Sequence, residues 1–357
     1  MRAILLTAFG SAEHFGLAEL PRPEPQPGEV RIRIHAAAFN PTDYQRRQGA
    51  GTTSTPPLIL GIDVAGTVDA VGTGVTTFAV GDEVYTYLLG GGKIGGGYAE
   101  YVCRLVDFVA HKPRNLSFGQ AAAVVTAGLT AHQCLEQAPL HPGEPIFVAG
   151  GSGGVGTMMI HLARHAGAGP IFTTAGSERS ERYLTETLGI PREQMLFYTG
   201  LQRPQLAERL RGLSGGRLFR IAIDCVGGAM TGLCCDVVDF EGHVISIVQG
   251  PRDDSHPPEE DDENRLFNRS ATFHFVMASV RGTYGDPETW SMYGRQLAAL
   301  AEMFENGVIP PPTIMEVGDL SVETVRQAHA LLEIGHVQGK LIMRVSASNK
   351  PARERIP

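Results

Sequence analysis

The sequence predicts an α/β fold, with a mostly-β first third followed by a doubly wound parallel sheet. Three observations predict it. Before residue 125, short runs such as Val30-Arg31-Ile32-Arg33-Ile34 alternate apolar and polar residues between Pro and Gly turns. From about 126, apolar runs alternate with amphipathic stretches, which implies parallel strands with helical crossovers on both faces. The 44 glycines cluster at 90–97, 150–156 and 227–228 instead of repeating, marking backbone that turns sharply or is closely approached.

Taken in order, Met1 to Thr7 is too short an apolar run for a leader core and reads as a first strand. Pro21 to Gly28 is a stiff Pro-rich connection. In the second half the expected strands are 145–149, 170–175, 195–198, 219–224 and 243–249. The acidic stretch 251–268 reads as a solvated loop, or as a lid over a cleft. An apolar run over 271–280 is expected to be an edge strand, followed by helices over 289–307 and 321–335. A last strand is expected over 339–345, and the final dozen polar residues should fray.

Composition excludes several classes. With 43 % hydrophobic and 19 % charged residues, the chain is neither disordered nor a coil of low complexity. No apolar run reaches the roughly 18 residues of a membrane helix, so no membrane partner is expected and a cytoplasmic location follows by default. A net charge of −8 opposes nucleic-acid binding, which runs on Lys and Arg contacts to phosphate. Five cysteines without a C-x-x-C pair favour neither a disulfide framework nor a Cys-rich metal site.

The chemistry lies in Gly150-Gly151-Ser152-Gly153-Gly154-Val155-Gly156. Gly151, Gly153 and Gly156 satisfy G-x-G-x-x-G, between the buried-strand run Ile146-Phe147-Val148 and a helical stripe of Val155, Met159, Leu162 and Ala166. Strand, glycine turn and helix form the dinucleotide-binding arrangement, with the pyrophosphate at the helix N-terminus. An NAD site ends its second strand with an acid that accepts from the ribose. Here the strand ends in Thr174-Ala175-Gly176-Ser177, followed by Arg179 and Arg182, which suit a 2′-phosphate. The expected cofactor is NADPH. His161 and His165, four apart on the same helix, read as solvated, and Cys225 reads as a packing residue.

Beyond the loop, the chain carries Asn40-Pro41-Thr42-Asp43, Gly61-Ile62-Asp63-Val64-Ala65-Gly66, and Val80-Gly81-Asp82-Glu83-Val84. Gly96-Gly97-Tyr98-Ala99-Glu100-Tyr101-Val102 and Gly339-Lys340-Leu341-Ile342 follow. With these motifs in this order, the chain resembles the zinc-independent medium-chain dehydrogenase/reductases of the quinone oxidoreductase (zeta-crystallin-like) group. The resemblance implies a GroES-like β-barrel catalytic domain over 1–125 and 286–357, with a Rossmann NADPH-binding domain over 126–285, and a homodimer paired through the latter. It also implies that Asn40, Thr126, Gly151, Ser152, Gly153, Gly154, Val155, Gly156, Ser177, Arg179, Arg182, Tyr198 and Lys340 bind cofactor, with Tyr198 beside the 2′-phosphate. Lys340 either reaches the cofactor or caps a surface strand.

Zinc-dependent relatives carry Cys, His and Cys where Asn40, Ile62 and a residue near Thr126 stand here, so no metal is expected. Without a Lewis acid, hydride transfer wants a conjugated acceptor, a quinone or an α,β-unsaturated carbonyl, whose developing oxyanion needs positioned donors. Asn40 and Tyr44 are the catalytic candidates. Gly51 stands where many relatives have a Tyr, so the proton-donor role of that residue does not carry over, and Tyr44 is either its substitute or a packing residue. Two other readings stay open: an enoyl-thioester reductase whose acyl carrier meets Arg46 and Arg47 at the cleft mouth, and a non-catalytic NADPH-binding protein.

Overall fold

The computed structural model describes residues 1–51, 54–91, 93–248, 265–335 and 337–346. Of the loop expected over 251–268, residues 251–264 lie outside them, whereas 265–268 are helical and not loop; the fraying expected after 346 also lies outside them. The described residues divide into two compact units: those within 1–123 with 314–335 and 341–346, and those within 124–313 with 337–340.

The first unit is built on antiparallel strands. β1 (Arg2–Leu6) pairs with β2 (Phe15–Glu19) and with β4 (Leu58–Ile59). A seven-stranded sheet centres on β3 (Glu29–Ala38), which pairs with β5 (Asp63–Val71), β9 (Tyr101–Leu105) and β18 (Lys340–Arg344). β6 (Glu83–Tyr87), β10 (Val109–His111) and β17 (Ile314–Asp319) complete it, and a two-stranded β7–β8 ribbon (Leu89–Gly90, Lys93–Ile94) stands apart. The alternation over 30–34 is visible here: Val30, Ile32 and Ile34 are buried. Arg31, between them, is also buried, because Asp69 and Glu24 accept from it at 2.7 and 2.9 Å. Two helices complete the unit: α1 (Pro41–Arg47), and one over Val322–Ile334 capped by the Ser321 hydroxyl.

α2 (Phe118–Glu136) runs from one unit into the other. The second unit is a six-stranded parallel sheet in the order β13-β12-β11-β14-β15-β16. In chain order these are β11 (Ile146–Ala149), β12 (Ile171–Ala175), β13 (Met195–Phe197), β14 (Phe219–Asp224), β15 (Val238–Ser246) and β16 (Thr272–Phe275). Between them run α3 (Gly154–His165), α4 (Glu178–Arg182), α5 (Arg203–Leu213) and α6 (Ala229–Val237). The direction of winding reverses between β11 and β14, and in such sheets the ligand crevice opens at the strands' carboxyl ends at that point. Phe147, Phe172 and Phe219 meet in the core, with ring centroids 5.8 and 5.3 Å apart.

Several elements differ from expectation. The strand expected over 243–249 starts five residues earlier, as Val238–Ser246, and Phe118–Glu136 is a helix that the sequence reading does not expect. The strand expected over 271–280 is only Thr272–Phe275, because its partner β15 ends at Ser246 and no further ladder is available. The helix over Ser291–Glu305 groups with the second unit, where Leu300 packs against Gly128 of α2, so residues 286–313 do not join the first. On α3 the buried face takes in Thr157, Met158, Ile160 and Ala163 with Met159 and Leu162 of the predicted stripe, whereas Val155 is half-buried and Ala166, at the C-cap, is exposed.

Candidate active site

The glycine turn is held by the strand beside it. Gly150 N–H donates to Thr174 Oγ1 at 2.8 Å and Gly151 N–H to Thr173 Oγ1 at 3.0 Å, while Thr173 donates to Val148 O at 2.7 Å. Neither threonine was expected to support the loop. A Cβ at Gly151 would run into Thr173 Oγ1, and one at Gly156 into the carbonyl of Gly150. Those two glycines are required by the protein's own packing. Gly153 is not: the nearest protein atom to a Cβ there is Gly150 O, at 3.4 Å. Its backbone is therefore open to a ligand at the N-cap of the 12-residue α3, where no side chain caps the first turn. An anion is the natural occupant of such a helix start.

A cleft of about 120 Å³ opens beside this turn, lined by Gly150, Ser152, Thr174, Gly176, Ser177, Ser180, Tyr198, Val226, Met230, Val337 and Gln338. No carboxylate is among them. Ser177 is the N-cap of α4, and its Oγ accepts from Ser180 N at 3.1 Å. Ser180 Oγ in turn accepts from Gly176 N and Ser177 N and donates to Ser177 O, so it is committed to the turn. Tyr198 packs directly over Gly176, where any Cβ would meet its hydroxyl. Arg179 Nε donates to Gln338 Oε1 at 3.0 Å, which sets the guanidinium beside the cleft wall. Arg182 is exposed, and its side chain makes no hydrogen bond or ion pair among the described residues.

Lys340 is buried, and its stem lies along the start of α3: a Cβ at Gly154 would be 2.7 Å from Lys340 Cδ. That placement is not a surface cap. Val155 and Thr126 are half-buried on α3 and α2, and Thr126 O accepts from Thr130 Oγ1 at 2.7 Å. The floor of the next turn is Asp224, fully buried at the end of β14. It accepts from Val226 N, Gly227 N, Thr231 Oγ1 and Ser246 Oγ at 2.6–3.0 Å. Cys225 beside it has its thiol pushed well up by burial, as a packing residue would.

In the first unit, Asn40 precedes α1 and is buried, donating Nδ2 to Asp63 Oδ2 at 2.9 Å and its backbone N–H to Asp43 at 2.8 Å. Asp43 also accepts from Gly61 N at 3.2 Å. Tyr44 is half-buried on the same helix. Tyr98, fully buried, makes a 3.2 Å hydrogen bond to His329 Nε2. Two charged residues are not where the sequence put them. Arg46 and Arg47 are 3 % and 4 % exposed, and Arg47 pairs with Glu333 at 2.5 Å. They are interior groups, which removes the basis for an acyl carrier docking on them. His161 is half-buried rather than solvated, and burial beside Arg164 lowers its pKa to about 4.

A parallel sheet in this order, with a glycine-cradled anion seat at its switch point, defines a dinucleotide-binding protein. Residues 26–114 match the alcohol dehydrogenase GroES-like domain and residues 201–343 the family described as zinc-binding dehydrogenase. The chain is 32 % identical to the 2-methylene-furan-3-one reductase of Solanum lycopersicum, over 96 % of this chain and 79 % of that protein. It is 30 % identical, with the same coverage, to the chloroplastic NADPH-dependent alkenal/one oxidoreductase of Arabidopsis thaliana. The solved quinone oxidoreductase of Coxiella burnetii superposes with a TM-score of 0.78 at 29 % identity, covering 97 % of this chain and 99 % of that one. The chain belongs to the medium-chain dehydrogenase/reductase family.

The donor set does not fit a catalytic zinc, which takes thiolate, imidazole or carboxylate ligands. At position 40 stands an amide whose NH₂ faces Asp63, at 62 a buried isoleucine, and at 126 a hydroxyl. A dinucleotide does fit: the uncapped start of α3 faces an open Gly153, and the cleft beside it offers hydroxyls, an amide and a nearby cation without an acid.

Proposed function

We propose that this protein is an NADPH-dependent reductase of quinones and α,β-unsaturated carbonyls that works without a metal. The observation that carries the reading is the acid-free cleft continuous with an uncapped, glycine-cradled helix start. The family relationship to an NADPH-dependent alkenal/one oxidoreductase supports it. When bound, NADPH supplies the hydride. The N–H groups at the start of α3 hold the pyrophosphate, and Ser177, Tyr198 and Arg179 hold the 2′-phosphate end. Lys340, lying over the first turn of α3, adds positive charge to the same seat.

Hydride addition to the β-carbon of a conjugated acceptor leaves charge on its carbonyl oxygen, and positioned donors must meet that charge. In our reading the α1 region supplies them, with Asn40 held in one orientation by Asp63 and Asp43 to direct the acceptor. Tyr44, or water, delivers the proton that completes the reduction. The first unit, with the strands and helix that follow residue 313, is the substrate domain, and the second is the cofactor domain. The molecule works as a cytoplasmic homodimer. No helix of the described residues is long and apolar enough to cross a membrane.

The test is NADPH oxidation by the chelator-dialysed enzyme, offered a 1,4-quinone, a short alkenal and a saturated ketone in parallel. Turnover of the first two and none of the ketone is expected, with full rate after dialysis. Activity that disappears with the metal, or a preference for the saturated ketone, overturns the proposal.

A further inference from the structure

Gln338 belongs to no sequence motif, yet it forms one wall of the cofactor cleft together with Val337. It lies in the 337–340 segment that folds with the second unit. Its two ends do different things. Oε1 accepts from Arg179 Nε at 3.0 Å, and that bond fixes which end of the amide is which. The other end, Nε2, is shielded from solvent and has no hydrogen-bond partner among the described residues. A buried amide donor left unanswered is costly, so native structures almost always satisfy it. The cleft's own side chains offer Gln338 no carboxylate.

The acceptor for Nε2 therefore comes from what fills the cleft. The candidates within a dinucleotide are a ribose hydroxyl and a 2′-phosphate, and the surroundings choose between them. Arg179 is tied to the same residue, Ser177 lines the cleft as the cap of α4, and Tyr198 closes over Gly176. A guanidinium, a hydroxyl and an amide N–H grouped without an acid suit an anion. Resting on the reading that NADPH occupies this cleft, we propose that Gln338 is a specificity-determining residue. Its Oε1 holds Arg179 beside the cleft and its Nε2 donates to the 2′-phosphate.

Two substitutions separate these tasks. Gln338→Ala removes both. Gln338→Glu keeps an oxygen for Arg179 but replaces the donor with a negative charge facing the phosphate. Dissociation constants for NADPH and NADH are measured by fluorescence titration for wild type and both variants, with the unliganded melting temperature as a folding check. We expect Gln338→Ala to weaken NADPH about tenfold with NADH unchanged, as loss of a charge-assisted hydrogen bond implies. Gln338→Glu should weaken NADPH further while NADH binds at least as tightly as to wild type, reversing the preference. A wild type that binds both cofactors equally sinks the NADPH reading itself. A wild type that prefers NADPH, with both variants keeping that preference or losing both cofactors alike, overturns the role of Gln338 alone.

Discussion

Arg179 and Arg182 are three residues apart on one short helix, and only their contacts distinguish them. Both suit a 2′-phosphate by sequence, but Arg179 is the one bonded to a residue of the cleft wall. Arg179→Ala should therefore weaken NADPH by about tenfold while sparing NADH, and Arg182→Ala should change neither by more than about twofold. The modest size follows from the exposure of Arg179, since solvent screens a surface charge. Equal losses from both variants, read by the same titration, would return Arg182 to the site. The residue scale also marks the limit of sequence reading. Gly151 and Gly156 are legible because each has a steric reason within a local motif. Thr173 and Thr174 are not, because the N–H groups they hold lie 22 and 24 residues away and no spacing announces the pairing. Arg46 and Arg47 show the same limit from another side. Their charge is written in the sequence, but their burial depends on partners such as Glu333, which stands 286 residues on.

Among the elements, those with strong periodicity were the legible ones. The strands at the centre of the parallel sheet fall within a residue or so of their expected bounds, since continuous apolar runs between turn signals have one reading there. α2, 19 residues long, carries no helical period in the sequence, because it is nearly apolar all round and has no polar face to set one. β16 is shorter than the apolar run that contains it, its length being set by β15 and not by its own composition. Among the described residues β16 is the last strand of the sheet and pairs on one side only, and Phe275 near its end is 78 % exposed. Met277, Val280 and Tyr284 continue the exposed apolar surface. An open edge of this kind invites pairing, and pairing with its own copy about a two-fold axis closes it. The protein is expected to run as a homodimer by light scattering at micromolar concentration, and Phe275→Glu to shift it toward monomer. A monomeric wild type counts against the dimer in our reading.

Among the described residues, burial lowers the pKa of five histidines, His35, His161, His243, His274 and His329, and the two largest depressions, at His161 and His329, lie in separate units. His329 is buried among Phe15, Phe39 and Tyr98, and burial, aided by the charge of Arg47, lowers its pKa to about 3. His161 on α3 is lowered to about 4 by burial and Arg164. In the unfolded chain both titrate near the ordinary value of about 6.5. Between the folded and unfolded values the unfolded state binds more protons, so stability rises with pH across that window. The contribution of each is complete above about pH 6.5 and is lost as pH falls toward 3 for His329 and toward 4 for His161. A single such group contributes a slope of up to about 1.4 kcal/mol per pH unit. Carboxylates titrating at the low end add to the loss, so the wild-type curve alone cannot assign it. His329→Gln, which keeps a polar group opposite the Tyr98 hydroxyl but cannot titrate, isolates one proton. Urea melts from pH 7 to 4.5 should show a shallower fall for that variant, by about one unit of proton slope below pH 6. Its absolute stability at pH 7 is expected to drop, because an imidazole packed between rings is replaced by a flexible amide. An unchanged slope would mean that the His329 ring takes up its proton in the folded state, and that the acid sensitivity of this fold lies elsewhere.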